Sequence, residues 1–158
     1  MKCTSRAQAV ERYGHIDFEH KHWPDQMKWL KLLEIPPGWF PTWTVLDTGV
    51  TVRRIACNID IHVPLMAALK SVHEQNLGHE LHTFDGCFNI RAVRGSASAS
   101  THAYGLGLDI YAKKNLMSYV LRTIFSKQFV KCFKDQNFNW GGDWKGRKDP
   151  MHFSYAWE

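Results

Sequence analysis

The chain has no Cys-x-x-Cys pair: its four cysteines, Cys3, Cys57, Cys87 and Cys132, stand far apart. A structural zinc ribbon and a dense disulfide framework are therefore not indicated, and reduced, buried thiols are expected. No apolar run approaches the length of a membrane span, so membrane insertion is not expected either. The opening residues, Met1-Lys2-Cys3-Thr4-Ser5-Arg6, run on to Glu11, Arg12 and His15 without the apolar centre of an export signal, which predicts a cytoplasmic product without a signal peptide. Internal repeats and low-complexity tracts are missing too. Basic residues outnumber acidic ones by 20 to 15 but cluster only weakly, at Arg53-Arg54, Lys113-Lys114 and Lys145-Gly146-Arg147-Lys148. No helix reads as a basic stripe, so no nucleic-acid partner is expected, although the net charge of +5 favours anionic partners of some kind.

Aromatic residues, by contrast, are plentiful, with seven tryptophans and nine phenylalanines in 158 residues. Such side chains fill cores and line ligand grooves, and composition does not separate the two uses. With 44% hydrophobic and 22% charged residues the chain reads as a soluble globular protein. One domain of this length buries about two-thirds of its unfolded surface, enough for a core without covalent staples. A single monomeric domain is expected.

Residues 1–49 are the least regular and read as a wrapping segment of that domain, with residues 50–158 as its core. Met27, Leu30 and Leu33 predict a short helix over 24–33, ended by Pro36-Pro37-Gly38. The β-branched run from Val50 to His62 predicts a strand; Pro64, Leu65, Met66, Leu69 and Val72 predict a helix that Gly78 stops. Extended structure follows over 79–93, then a small-residue loop over 95–100 and a strand over 106–111. Leu116, Val120, Leu121, Ile124, Phe125, Val130 and Phe133 predict an amphipathic helix ending before Asn137, and strands are expected over 138–140 and 151–155. The mixture implies an α+β fold, a small mostly antiparallel sheet flanked by helices.

The chemistry concentrates in the last third. His102 and Asp109 lie in a glycine-punctuated stretch, and Asp149 and His152 follow about forty residues later. A catalytic zinc takes three His or carboxylate ligands and keeps a fourth position for water. His102, Asp109 and His152 suit that set for one Zn2+ ion on the sheet, with Asp149 as general base. Pro150 between Asp149 and His152 argues for a loop entering a strand, unlike the helical His-Glu-x-x-His pattern. His15, His20 and His22 carry no accompanying ligand pattern. Tyr104, Trp140 and Trp144 are candidate substrate walls, with core packing an equal alternative.

Ser100-x-His102-x-x-Gly105-x-x-x-Asp109, followed by Trp140-Gly141-Gly142-Asp143-Trp144 and Asp149-Pro150-Met151-His152-Phe153, resembles the zinc peptidoglycan peptidases of the D-alanyl-D-alanine carboxypeptidase group, which includes the L-alanyl-D-glutamate endopeptidases used as phage endolysins. The resemblance runs from about Val50 to Tyr155 and implies the same ligands, His102, Asp109 and His152, and the same base, Asp149. It further implies a strand-borne arginine that holds the substrate carbonyl, here Arg91 with Arg94 as a substitute, and a substrate-side residue at Ser100. Two departures stand out: Gly107 replaces a frequent alanine, read as harmless, and Ser154 stands where Glu or Gln is common, so a hydrogen bond behind the ligands is expected to differ. The implied substrate is the peptidoglycan stem peptide. Three readings follow: an L-Ala-D-Glu endopeptidase made in a host bacterial cytoplasm and acting on the wall after release, a D-alanyl-D-alanine carboxypeptidase, and a non-catalytic zinc-stabilised wall-binding module.

Overall fold

The computed structural model describes residues 1–93 and 95–157. Its helices are α1 (Arg6–Tyr13), α2 (Gln26–Trp29), α3 (His62–Glu74) and α4 (Lys127–Lys134). Its strands are β1 (Leu30–Glu34), β2 (Thr44–Val45), β3 (Arg54–Asn58), β4 (Thr83–Gly86), β5 (Gly107–Ile110), β6 (Asn139–Trp140) and β7 (His152–Ser154). Five of them form a sheet in the order β2-β4-β5-β7-β6, while β1 and β3 pair separately. The fold is α+β, and apart from the parallel β2–β4 pair all ladders are antiparallel.

The first fifty residues share the hydrophobic core. Cys3, Tyr13, Trp23, Phe40 and Trp43 are buried with Leu65, Leu69, Phe129 and Phe153. Ser5 caps α1 by accepting from the Gln8 amide at 3.2 Å, and Gly14 ends it at φ 85°, a left-handed conformation that favours glycine. The helix expected over 24–33 is cut to one turn, because Leu30 to Glu34 pair antiparallel with Asn58 to Arg54. Strand pairing there overrides the helical spacing of Met27, Leu30 and Leu33, and Met27 is left 80% exposed. In α3, Leu65, Ala68, Leu69 and Val72 form the buried stripe; the helix stops at Glu74, before left-handed Asn76 rather than at Gly78.

The larger departure lies over 115–126, where the predicted amphipathic helix is not formed. Buried Asn115 closes a loop instead, its Oδ1 accepting from the Thr123 hydroxyl at 2.7 Å and the Ile124 amide at 3.1 Å. Helix α4 begins only after Ser126, which caps the Phe129 amide and is held by the buried Glu80 carboxylate through its own amide and hydroxyl, both at 2.6 Å. Leu116, Val120, Leu121 and Ile124 stay exposed, and Phe125 alone of the expected stripe in this loop turns inward.

Asp60 ties α1 to the turn after β3. Its carboxylate accepts from the Arg12 guanidinium at 2.6 and 2.9 Å and from the Tyr13 hydroxyl at 2.7 Å. Burial works to raise this carboxyl, but the bonds from Arg12 and Tyr13 outweigh it and hold it below the usual carboxylate range. A depressed carboxylate contributes stability above its unfolded value, and that contribution is lost as the pH falls through the folded value. Asp60→Asn is therefore expected to lower unfolding free energy at pH 7 by about 1–3 kcal/mol in urea titrations. The difference from wild type should shrink as the pH falls below about 4.

Candidate metal centre

Strand register builds the first half of the site: β5 and β7 pair with Asp109 directly opposite His152. His102 comes from a 3-10 turn, Thr101–Tyr104, capped by the Ser100 hydroxyl. Left-handed Gly105, at φ 65°, ends that turn and delivers the chain into β5. A Cβ at Gly105 would lie 2.9 Å from Leu30 and 3.0 Å from the Asn58 amide, so the turn seats against β1 and β3 only as glycine.

Three atoms then converge. His102 Nε2 lies 3.1 Å from His152 Nδ1 and 3.2 Å from Asp109 Oδ1, and His152 Nδ1 lies 2.9 Å from the same oxygen. The far nitrogens are engaged elsewhere: His102 Nδ1 is 2.8 Å from the Cys87 carbonyl, and His152 Nε2 is 3.2 Å from the Thr101 hydroxyl. A carbonyl can only accept, so His102 carries its proton on Nδ1 and turns its Nε2 lone pair inward. A hydroxyl can also accept, and with His152 donating to Thr101 from Nε2, two imidazole lone pairs and a carboxylate face one point. Both rings are 4% exposed. Burial alone would raise the Asp109 carboxyl, but the two imidazoles against its oxygen hold it well below the usual range, so it is charged at neutral pH.

Such a donor set fits a cation. A tetrahedral ion bonded at about 2.0–2.1 Å needs ligand atoms about 3.3 Å apart, close to the separations found. Among the described residues, His102, Asp109 and His152 are the grouping with the reach to hold a metal ion. The histidines near the N-terminus do not join it; exposed His20, for example, pairs with Asp17 at 2.7 Å.

Asp149 enters the same cleft, of about 740 Å³, together with Arg91, Ser100 and Trp144. Its amide donates to the Gly141 carbonyl at 2.9 Å, and its carbonyl accepts from the His152 amide at 3.0 Å. A Cβ at Gly141 would collide with the Asp149 carbonyl, so this glycine lets the two loop segments meet. The Trp144 ring is centred 5.8 Å from that of His152. Arg91 is exposed and lies beside the Ala92–Ala99 bridge rather than on a strand, and Arg94 lies outside the described residues. Ser100 uses its hydroxyl on the turn.

Two expected walls are core residues. Tyr104 is buried against Tyr13, Trp23 and Trp157, donates to the Gly14 carbonyl at 3.0 Å, and burial pushes its hydroxyl up to about 12. Trp140 donates from its indole to the Pro150 carbonyl at 2.8 Å and stacks over Phe153. Both hold the site from behind. The harmless reading of Gly107 also needs correction: a Cβ there would approach the Thr101 hydroxyl to 2.6 Å and the His152 ring to 2.8 Å. Thr101 occupies the space an alanine methyl would need. Its part is missed by sequence reasoning, although its place beside His102 was a cue; the Cys87 carbonyl, a backbone group, has no side-chain signal.

The sequence profile of the D-alanyl-D-alanine carboxypeptidase family matches residues 94–155, the span that contains the three converging side chains and Asp149. Over that span the chain is similar to this family of zinc peptidases. No solved structure gives a significant match. In this chain the matched span supplies β5 to β7 and α4, while β1 to β4 and Arg91 come from outside it.

Groups behind a metal-binding histidine fix its tautomer and tilt. Thr101→Val is expected to weaken zinc binding about 10- to 100-fold in a chelator competition, with Thr101→Ser near wild type. Gly107→Ala should weaken it as well, by pressing on the Thr101–His152 contact.

Proposed function

We propose that this zinc peptidase hydrolyses the stem peptide of peptidoglycan, with the L-Ala-D-Glu bond as its first target, as a phage endolysin or related cell-wall hydrolase. The observation that carries the reading is the convergence of His102, Asp109 and His152 at the floor of a cleft that also takes in Asp149. The family match supports the peptidase class and its zinc, and the net charge of +5 suits an anionic polymer.

His102, Asp109 and His152 would hold the ion. When bound, zinc acidifies water towards neutral pH and polarises a carbonyl oxygen. Asp149 takes a proton from the attacking water and passes it to the departing amine. Arg91, on the rim, stabilises negative charge on the carbonyl oxygen, a role worth about 3–4 kcal/mol for one well-placed donor. Trp144 supplies an apolar wall beside His152. A second reading, D-alanyl-D-alanine carboxypeptidase, draws on the arginines Arg91 and Arg147 in the cleft, which equally suit a terminal carboxylate.

Mass spectrometry of fragments released from purified peptidoglycan separates the readings. The expected product carries a new amino-terminal D-Glu; released D-alanine would select the carboxypeptidase, and no product from the zinc-loaded protein would leave a non-catalytic wall-binding module. Asp149→Ala is expected to cut the hydrolysis rate by about 10²–10⁴-fold with zinc still bound, and an unchanged rate would remove it as the base.

A further inference from the structure

The loop over 115–124 carries apolar side chains that neither the core nor the cleft uses. Leu116, Tyr119, Val120, Leu121 and Ile124 are 42–79% exposed. The loop is not loose: Asn115 closes it through Thr123 and Ile124, and Ser118 is bridged by paired backbone hydrogen bonds of 3.0 and 2.8 Å to Lys148. Large apolar groups on a closed, pinned loop meet water by construction. Compact loops of this size, packed by their own contacts, are frequently functional, and contiguous exposed apolar surface marks an interaction site.

Charge identifies the partner. From residue 110 to residue 134 the chain has Lys113, Lys114, Arg122, Lys127, Lys131 and Lys134 and no acidic residue. Lys131 and Lys134 pair with Asp135 and Asp143, which leaves Lys113, Lys114, Arg122 and Lys127 as exposed cations flanking the apolar loop. A second copy of the same face would set cation against cation. A neutral apolar partner would make no use of them.

We propose that this loop docks peripherally on an anionic phospholipid surface, its apolar side chains entering the interface and its flanking cations meeting phosphate. Met117 of the same loop lines the metal cleft, so docking holds the rim of the cleft against the bilayer. No transmembrane element is involved, for no helix among the described residues is long and apolar enough to cross a membrane. The inference is independent of which bond the cleft hydrolyses.

Sedimentation of the full chain with vesicles tests it. Binding is expected to phosphatidylglycerol vesicles and not to phosphatidylcholine vesicles, and to weaken with added salt. Combined Tyr119→Ser, Val120→Ser and Leu121→Ser should lower the bound-to-free ratio about tenfold or more with circular dichroism and zinc binding unchanged. Combined Lys113→Glu, Lys114→Glu and Arg122→Glu, which touches only exposed charges, should do the same and covers a loss of folding in the first variant. Wild-type protein that ignores phosphatidylglycerol, or charge-reversed protein that binds it equally well, overturns the proposal. So does a wild-type dimer that the serine variant dissociates, since the loop would then join two copies.

Discussion

The pairing of β5 with β7 is the constraint on which the site depends. Leu108 faces Phe153 across the ladder and Asp109 faces His152, so adjacent residues on each strand point to opposite sides of the sheet. Leu108 and Phe153 are both fully buried, and Phe153 packs on Phe133 with ring centres 4.5 Å apart. A slip of one residue would drive Asp109 into that aromatic core and put Phe153 in the cleft. Hydrophobic burial thus sets the register, and the register sets two of the three candidate ligands side by side.

The third candidate ligand, His102, is positioned by a different part of the chain. Asn58, fully buried, donates from its side chain to the Tyr104 carbonyl at 3.1 Å and from its amide to the Gly105 carbonyl at 2.9 Å, fastening the His102 turn to the end of β3. Strand β1 pairs with β3, and the Tyr104 hydroxyl reaches Gly14 after α1. Residues far outside the family-matched span therefore buttress the histidine. The Cys87 carbonyl, just beyond β4, fixes its tautomer. The glycines at 105, 107 and 141 share one explanation: each lies where another group approaches too closely for a methyl.

The sequence was most legible where chemistry and periodicity agreed. His102, Asp109 and His152 are residue types that seldom gather without a reason, and the strands expected at Asp109 and His152 form as β5 and β7. The α+β class and helix α3 were equally readable. The amphipathic pattern over 116–125 misled because helical spacing says which residues share a face, not whether anything covers that face. Asn115 and Ser126, two side chains that compete for backbone amides, delay the start of the helix to Lys127. Tyr104 and Trp140 were ambiguous in sequence because a ring that walls a cleft and a ring that supports its floor have the same composition signal. The support of His152 by Thr101 could not be read from spacing, since it depends on a long-range contact with a hydroxyl 51 residues away in the same chain.

X-ray absorption of the zinc-loaded protein tests the central claim most directly, because it reports the donor atoms whether or not any substrate is turned over. Two imidazoles with oxygen completing the shell, all at about 2.0–2.2 Å, is the predicted result. A sulfur shell at about 2.3 Å from the buried cysteines, or a shell without two imidazoles, would contradict it.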